Sequence, residues 1–247
     1  MSDALPVSDE VDLLLVGAGG IGAPAALALG AAGLRSLAVV DDDRVELSNL
    51  HRQILFTDRD IGRPKLDAFA EALARRFSGL SITLVPGRVR PENAASLVSR
   101  ARVVLDATDN FATRFLLADA CHLAGVPVVH AAAVRWRATV IAAGSEGRPC
   151  YRCLFEDLPE GPAPDCASAG VVGPVCGVAG ALAADRALRI LAGDRAALGK
   201  IATYDGLTDR LREVGVRARP GCPLCGAARS IHDLSASRYL AAACASL

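Results

Sequence analysis

Short apolar runs alternate with helical-looking stretches through most of the chain. Residues 11–16 form an apolar run, followed at once by Gly17-Ala18-Gly19-Gly20-Ile21-Gly22 and then an Ala-rich helical stretch to about residue 32. A second apolar run, 37–40, ends in Asp41-Asp42-Asp43. This pattern predicts a β-α-β unit with the glycines at its first turn and acids closing its second strand. A polar segment, 45–57, interrupts the alternation. Residues 63–77 then read as a helix with Pro64 in its first turn, 81–85 as a strand, 92–99 as a short helix and 103–105 as a strand. That last strand runs into Asp106-Ala107-Thr108-Asp109-Asn110, and residues 111–124 read as a helix closed by Gly125. Strands are predicted at 126–130 and 139–143, a helix at 175–191, and strands at 200–204 and 211–216.

Strands alternating with helices predict an α/β, Rossmann-like fold: one domain over residues 1–247 with a mainly parallel sheet and helices on both faces. Residues 1–10 make a short polar N-terminal segment. Between 144 and 173 the texture shifts to Gly, Pro, Cys and acids, which reads as a long crossover loop.

Composition narrows the partners. The 247 residues are 52% hydrophobic, and Lys plus Arg balance Asp plus Glu at 27 each. Zero net charge argues against a general nucleic-acid or acidic-membrane binder. No export signal or bilayer-length apolar run is visible, so a cytoplasmic protein is expected. The eight cysteines then read as metal ligands or thiols rather than as a disulfide framework. Lysine occurs only at Lys65 and Lys200, which singles out Lys65 as a site that wants a compact point charge.

The glycine turn Gly17, Gly19, Gly20 and Gly22 would bring nucleotide phosphates to backbone N–H groups at a helix N-terminus, with Asp41 or Asp43 accepting from ribose hydroxyls. NAD, FAD and ATP proteins all use such turns, and a glycine turn also serves plain helix packing. The insert Ser48-Asn49-Leu50-His51-Arg52-Gln53 separates these readings. Asn49, Arg52 and Lys65 suit the β- and γ-phosphates of a triphosphate and the departing pyrophosphate, unless Arg52 and Lys65 are solvated surface charges. Asp106 and Asp109 lie at the C-terminal end of a predicted central strand, where a Mg²⁺ ion would take one or two carboxylates plus phosphate oxygens. Asp109 could instead cap the helix that follows. Cys150-x-x-Cys153 and Cys222-x-x-Cys225 predict a closed, structural four-cysteine zinc site, with a redox pair as the alternative.

These motifs together, from Asp41-Asp42-Asp43 through Ser48–Gln53 and Gly62-Arg63-Pro64-Lys65 to Asp106–Asn110, resemble the ThiF/MoeB/HesA family, relatives of the ubiquitin-activating enzymes. The resemblance runs from about residue 11 to 225. It implies ATP contacts at Gly20, Asp41, Ser48–Arg52, Lys65, Asp109 and Asn110, with Mg²⁺ on Asp109. It also implies transfer of AMP from ATP to the C-terminal carboxylate of a ubiquitin-like sulfur-carrier protein ending in Gly-Gly, and a homodimer. In that family a cysteine at the place of Cys166 can link covalently to the activated carrier; an idle loop thiol is the other reading. Cys121, Cys176 and Cys244 read as buried small residues. Relatives carry an N-terminal Arg that reaches the partner subunit's nucleotide, and residues 1–10 hold none. No rhodanese-like domain follows Cys225, so a separate sulfur donor is expected. Competing readings are adenylation of a peptide or tRNA-linked carboxylate, a non-catalytic nucleotide-binding partner subunit, and an NAD oxidoreductase, which the Ser48–Gln53 insert and the cysteine pairs disfavour.

Overall fold

A computed structural model describes residues 10–144, 149–158 and 170–239. Its centre is an eight-stranded sheet in the order β3-β2-β1-β4-β5-β6-β7-β8. The strands are β1 (Val11–Val16), β2 (Ser36–Asp41), β3 (Ser81–Pro86), β4 (Ala101–Asp106), β5 (Val128–Val134), β6 (Arg137–Ala143), β7 (Lys200–Asp205) and β8 (Arg210–Gly215). The first five in this order pair in parallel. β6, β7 and β8 extend that half antiparallel. The expectation of a mainly parallel sheet holds for the nucleotide-type half, and an antiparallel meander completes it.

Helices cover both faces. Side chains alternate along β1: Leu13 and Leu15 join one core, Leu14 and Val16 the other. The first core packs under α1 (Gly22–Ala31), α2 (Lys65–Ala74) and α5 (Gly173–Leu191), the second under α3 (Pro91–Val98) and α4 (Phe111–Ala124). Strands covered on both sides are largely apolar, which is why 11–16 and 103–105 read as runs rather than as alternations. α4 ends as expected at Gly125, whose φ of 74° is left-handed.

Several boundaries shift for physical reasons. Pro64 stands just before α2, as its N-cap, rather than in the first turn, and the helix closes at Ala74. β5 continues four residues past His130, because a tight turn with Arg135 at φ 52° folds it directly onto β6. The 45–57 segment is not wholly polar surface: Val45, Leu55 and Phe56 anchor it in the core. Of the long loop, the described part contains a 3-10 turn, Tyr151–Cys153, while 145–148 and 159–169 lie outside the described residues.

That 3-10 turn is fixed by a buried ion pair. Arg152 donates to both carboxylate oxygens of Asp119 on α4, at 2.7 and 2.9 Å. Tyr239 donates to the same carboxylate at 2.9 Å, and the guanidinium lies 4.8 Å from the Phe115 ring centre. Burial opposes the charge on Arg152, but the Asp119 carboxylate outweighs it and holds its pKa above the usual value. Removing one partner strands the other charge. Asp119→Ala should therefore cost about 3–5 kcal/mol, read as a lowered urea midpoint.

Candidate functional site

The parallel strands diverge between β1 and β4: β1 connects outward to β2, while the chain returns to the other side at β4. Open α/β sheets bind ligands at such a switch point, beyond the carboxyl ends of the strands. A cleft of about 810 Å³ opens there, well within the ~300–1,000 Å³ usual for small-molecule sites.

Its floor is the glycine turn. Gly17 has φ 99°, and a Cβ on it would stand 2.9 Å from the Ala107 carbonyl oxygen of the β4–α4 turn. A Cβ on Gly22 would run into the Gly17 carbonyl oxygen. The first contact joins the two turns and needs a bare Gly17; the second closes the glycine turn on itself and needs a bare Gly22. Ala18 N–H donates to Asp41 Oδ2 at 2.8 Å, which ties the turn to the end of β2. Burial of the Asp41 carboxyl outweighs this bond and the nearby Lys65 charge, and raises its pKa. α1 starts here with no side-chain cap and no acid in its first turn, so its dipole faces the cleft uncompensated.

The Ser48–Gln53 segment begins as a 3-10 turn, Leu47–Asn49, and wraps over the glycines. Arg52 Nη1 donates to the Ser48 carbonyl at 3.2 Å, and its stem lies 3.2 Å from the Cβ position of Gly20. Gln53 is buried with its Oε1 unpartnered. Lys65 opens α2 and is only 5% exposed. Its Nζ donates to Asp43 Oδ2 at 2.7 Å, so it is neither a solvated cation nor an unpaired one.

The Asp106–Asn110 turn splits its polar residues by role. Asp106 is fully buried and faces inward. Its Oδ1 accepts from Thr108 N at 2.9 Å and Oγ1 at 2.6 Å, and its Oδ2 lies 2.7 Å from His130 Nδ1. Burial disfavours the Asp106 anion, yet Arg114, His130 and Thr108 together hold its pKa below the ordinary value. Burial pushes His130 the other way, toward the neutral ring. The cap of α4 is Asn110, whose Oδ1 accepts from Thr113 N at 2.8 Å. The capping alternative for Asp109 is thereby corrected: its carboxylate stays exposed on the cleft wall.

Of the residues singled out from sequence, Gly17, Gly19, Gly20, Asp41, Asp43, Asn49, Arg52, Gln53, Lys65, Asp109 and Asn110 line this one cleft. Gly22, Ser48, Leu50 and His51 do not. Gly22 permits the turn, and the Ser48 carbonyl holds Arg52 and lies 3.0 Å from His51 Nδ1. Cys166 and Cys244 lie outside the described residues. Sequence reasoning missed Arg88, Arg114, His130, Tyr151 and Cys176 on the wall. Arg88, paired with Asp42 at 2.7 Å, sits just past the carboxyl end of β3 and could have been found by the same switch-point rule.

The two cysteine pairs meet away from the cleft. Sγ–Sγ distances are 3.8 Å for Cys150–Cys153, 3.5 Å for Cys150–Cys222 and 3.3 Å for Cys153–Cys225, and all four sulfurs lie within 4.8 Å of one another. A tetrahedron around an ion with metal–sulfur bonds of about 2.3 Å has edges of about 3.8 Å. Burial raises Cys150, and burial with the neighbouring thiol of Cys153 pushes Cys225 up to about 12. Burial also acts on Cys222, but backbone N–H groups of Cys225 and Leu224 outweigh it and bring that thiol down to about 7. Four crowded thiols in this state are suited to a shared cation, which would replace their protons.

Comparison with known proteins agrees with this geometry. A model described as the ThiF family matches residues 8–224. The SAMP-activating enzyme E1 of Haloferax volcanii is 42% identical over 216 residues, covering 87% of this chain and 80% of the relative. The sulfur carrier protein ThiS adenylyltransferase of Escherichia coli is 41% identical over 218 residues, covering 88% and 86%. The molybdopterin-synthase adenylyltransferase of the same organism is 40% identical over 216 residues, covering 87% and 86%. Among solved structures, Escherichia coli MccB superposes with a TM-score of 0.77 at 22% identity, covering 88% of this chain and 66% of MccB. The chain thus spans just under two thirds of MccB, and the likeness speaks for the fold.

The tight path of the glycine turn sets a test. Gly22→Ala forces the Gly17 carbonyl to move and should cost about 1–3 kcal/mol, measured by urea denaturation against Gly33→Ala. Gly33 has no atom within 4 Å of its Cβ position, so only its left-handed backbone is strained.

Proposed function

The chain belongs to the ThiF family, and on that premise we propose that it transfers AMP from ATP to the C-terminal carboxylate of a ubiquitin-like sulfur-carrier protein ending in Gly-Gly, preparing it for thiocarboxylate formation. Its high-coverage relatives are named as a SAMP-activating enzyme, a sulfur carrier protein ThiS adenylyltransferase and a molybdopterin-synthase adenylyltransferase. The observation that carries the reading is the convergence of Arg52, Lys65 and Asp109 around the glycine turn in one cleft.

The chemistry needs charge placement more than proton transfer. The attacking carboxylate is already ionised at neutral pH, so no general base is required. One of its oxygens bonds to the α-phosphorus as the bond to the bridging oxygen of pyrophosphate breaks. Negative charge grows on the leaving group, and Asn49, Arg52 and Lys65 are placed to bind it. Lys65 would exchange its bond to Asp43 for phosphate oxygens. The glycine turn and the start of α1 present backbone N–H groups to the phosphates, and Asp41 takes the ribose. Asp109, an exposed carboxylate on the cleft wall freed from capping by Asn110, would hold Mg²⁺, which would neutralise charge on the triphosphate.

Cys150, Cys153, Cys222 and Cys225 would hold Zn²⁺, with a structural role: tying the C-terminal segment to the start of the crossover loop. Cys166 is the candidate for a covalent link to the carrier. The enzyme is proposed to act as a cytoplasmic homodimer served by a separate sulfur donor. Among the described residues, no helix is long and apolar enough to cross a membrane.

Labelled pyrophosphate should exchange into ATP only when a Gly-Gly-ended carrier is present. Asp109→Ala and Lys65→Ala should each lower that exchange by about 10²-fold or more. No exchange with any such carrier, or exchange in both variants equal to that of the unsubstituted protein, would overturn the reading. Metal analysis should find about one zinc per chain. Cys225→Ser should lose it together with several degrees of melting temperature, while the cleft residues stay intact.

A further inference from the structure

The Asp106-His130 pair, at the inner wall of the cleft, answers a need that packing of the core does not impose. Asp106 is completely buried as an anion, and His130 is completely buried with its Nε2 unpartnered. A phenylalanine would fill the place of His130 against the Tyr151 ring, whose centre lies 4.5 Å away, without stranding a nitrogen. Buried ionic groups of this kind are commonly replaceable by apolar ones when only stability is at issue.

The bonds of the pair lead to a single residue. Thr108 is held through three polar atoms: its N–H and Oγ1–H donate to Asp106 Oδ1, and its carbonyl accepts from Arg114 Nη2. Arg114 also donates to the Ala131 carbonyl at 2.8 Å, one residue past His130. His130 Nδ1, 2.7 Å from Asp106 Oδ2, donates its proton to the carboxylate and sets the carboxylate plane. The next residue after Thr108 is Asp109, the exposed carboxylate at the cleft. Asn110 then fixes the turn from the other side by capping α4. Asp109 thus projects from a turn immobilised on both flanks.

We propose that Asp106, His130 and Thr108 are positioning residues that orient the Asp109 carboxylate for the divalent cation bound with ATP. This deepens the function proposed above and rests on its assignment of the cation to Asp109. Partners that hold a ligating carboxylate typically set metal affinity by about 10–100-fold without touching the metal.

The test is equilibrium binding of Mn²⁺ to the full-length protein with ATP, followed by the paramagnetic resonance of free Mn²⁺, beside melting temperature. His130→Phe keeps the ring and removes the donor; Thr108→Val keeps the shape and removes the hydroxyl. Each should weaken Mn²⁺ binding by about tenfold. Thr108→Ser should restore it, and the double variant should be no weaker than the worse single one, since both cut the same chain of bonds. Should His130→Phe fail to fold, Thr108→Val and Thr108→Ser decide alone. A lowered melting temperature with unchanged Mn²⁺ affinity, while Asp109→Ala does weaken binding, would overturn the positioning role and leave the proposed function standing. Unchanged Mn²⁺ affinity in Asp109→Ala would overturn the cation assignment, and this inference with it.

Discussion

The structure depends on one close approach. The turn after β1 and the turn after β4 must touch, because the sheet divides between those strands and any ligand at the divide sees both at once. Backbone meets backbone there, with Gly17 against Ala107 and Thr108. Everything polar in the cleft is then hung from these two turns or from elements packed on them. Asp41 is bonded to Ala18, Arg52 lies over Gly20, and the start of α5 sits against His51, where a side chain on Gly173 would strike the His51 carbonyl oxygen. Widening the gap by one methyl group would move anion-binding amides and the Asp109 turn apart together.

Much of this was legible because the constraints are local. A strand buried on both faces is largely apolar, and a glycine closes a helix, so β1 and α4 are legible with their true limits. A glycine turn between strand and helix, followed by acids at the end of the next strand, leaves few architectures open. What was not legible depended on contacts distant in sequence or on a choice between like residues. Nothing local distinguishes Asp106 from Asp109; only the fold shows one sealed against His130 and the other on the cleft wall. The joining of β5 to β6 was hidden because Arg135 takes a left-handed φ with a side chain that carries no turn signature. Tyr151 reaches the cleft from between two cysteines whose partners lie about seventy residues on, at Cys222 and Cys225. Spacing suggested the cluster, but not that it delivers an aromatic ring to His130.

Charge in the cleft is arranged in pairs before any nucleotide arrives. Lys65 is bonded to Asp43 and Arg88 to Asp42. An ammonium as deeply buried as that of Lys65 would be costly alone. Its carboxylate partner holds it in place, yet Asp43 is more than half exposed in its side chain, so the pair is not locked in a dry interior. A triphosphate can compete for the lysine on favourable terms, since it offers several anionic oxygens and the released carboxylate returns to water. Asp43 and Asp42 thus act as provisional partners for Lys65 and Arg88 that solvent can later satisfy, whereas Arg52 is held by the Ser48 carbonyl.

Such a site separates binding from discrimination. Activating a carboxylate calls for oriented positive charge and a fixed phosphate, and both come from rigid parts: strand ends, helix starts and turns held by buried bonds. Preorganised charge of this kind acts on whatever anion is delivered in line with the α-phosphorus. The choice of carboxylate therefore rests on the surfaces that guide the incoming chain to that point, beyond the nucleotide contacts themselves. β6 reaches the cleft through Thr139 and Ile141, and β7 and β8 continue the sheet beyond it. They extend the sheet antiparallel on the side of β5, whose Ala132 and Val134 line the cleft. Leu207, Leu211 and Val214 stand exposed on β8 and the turn leading into it. The charged groups of the cleft thus stand at the ends of the parallel strands, whereas the antiparallel strands carry exposed apolar side chains.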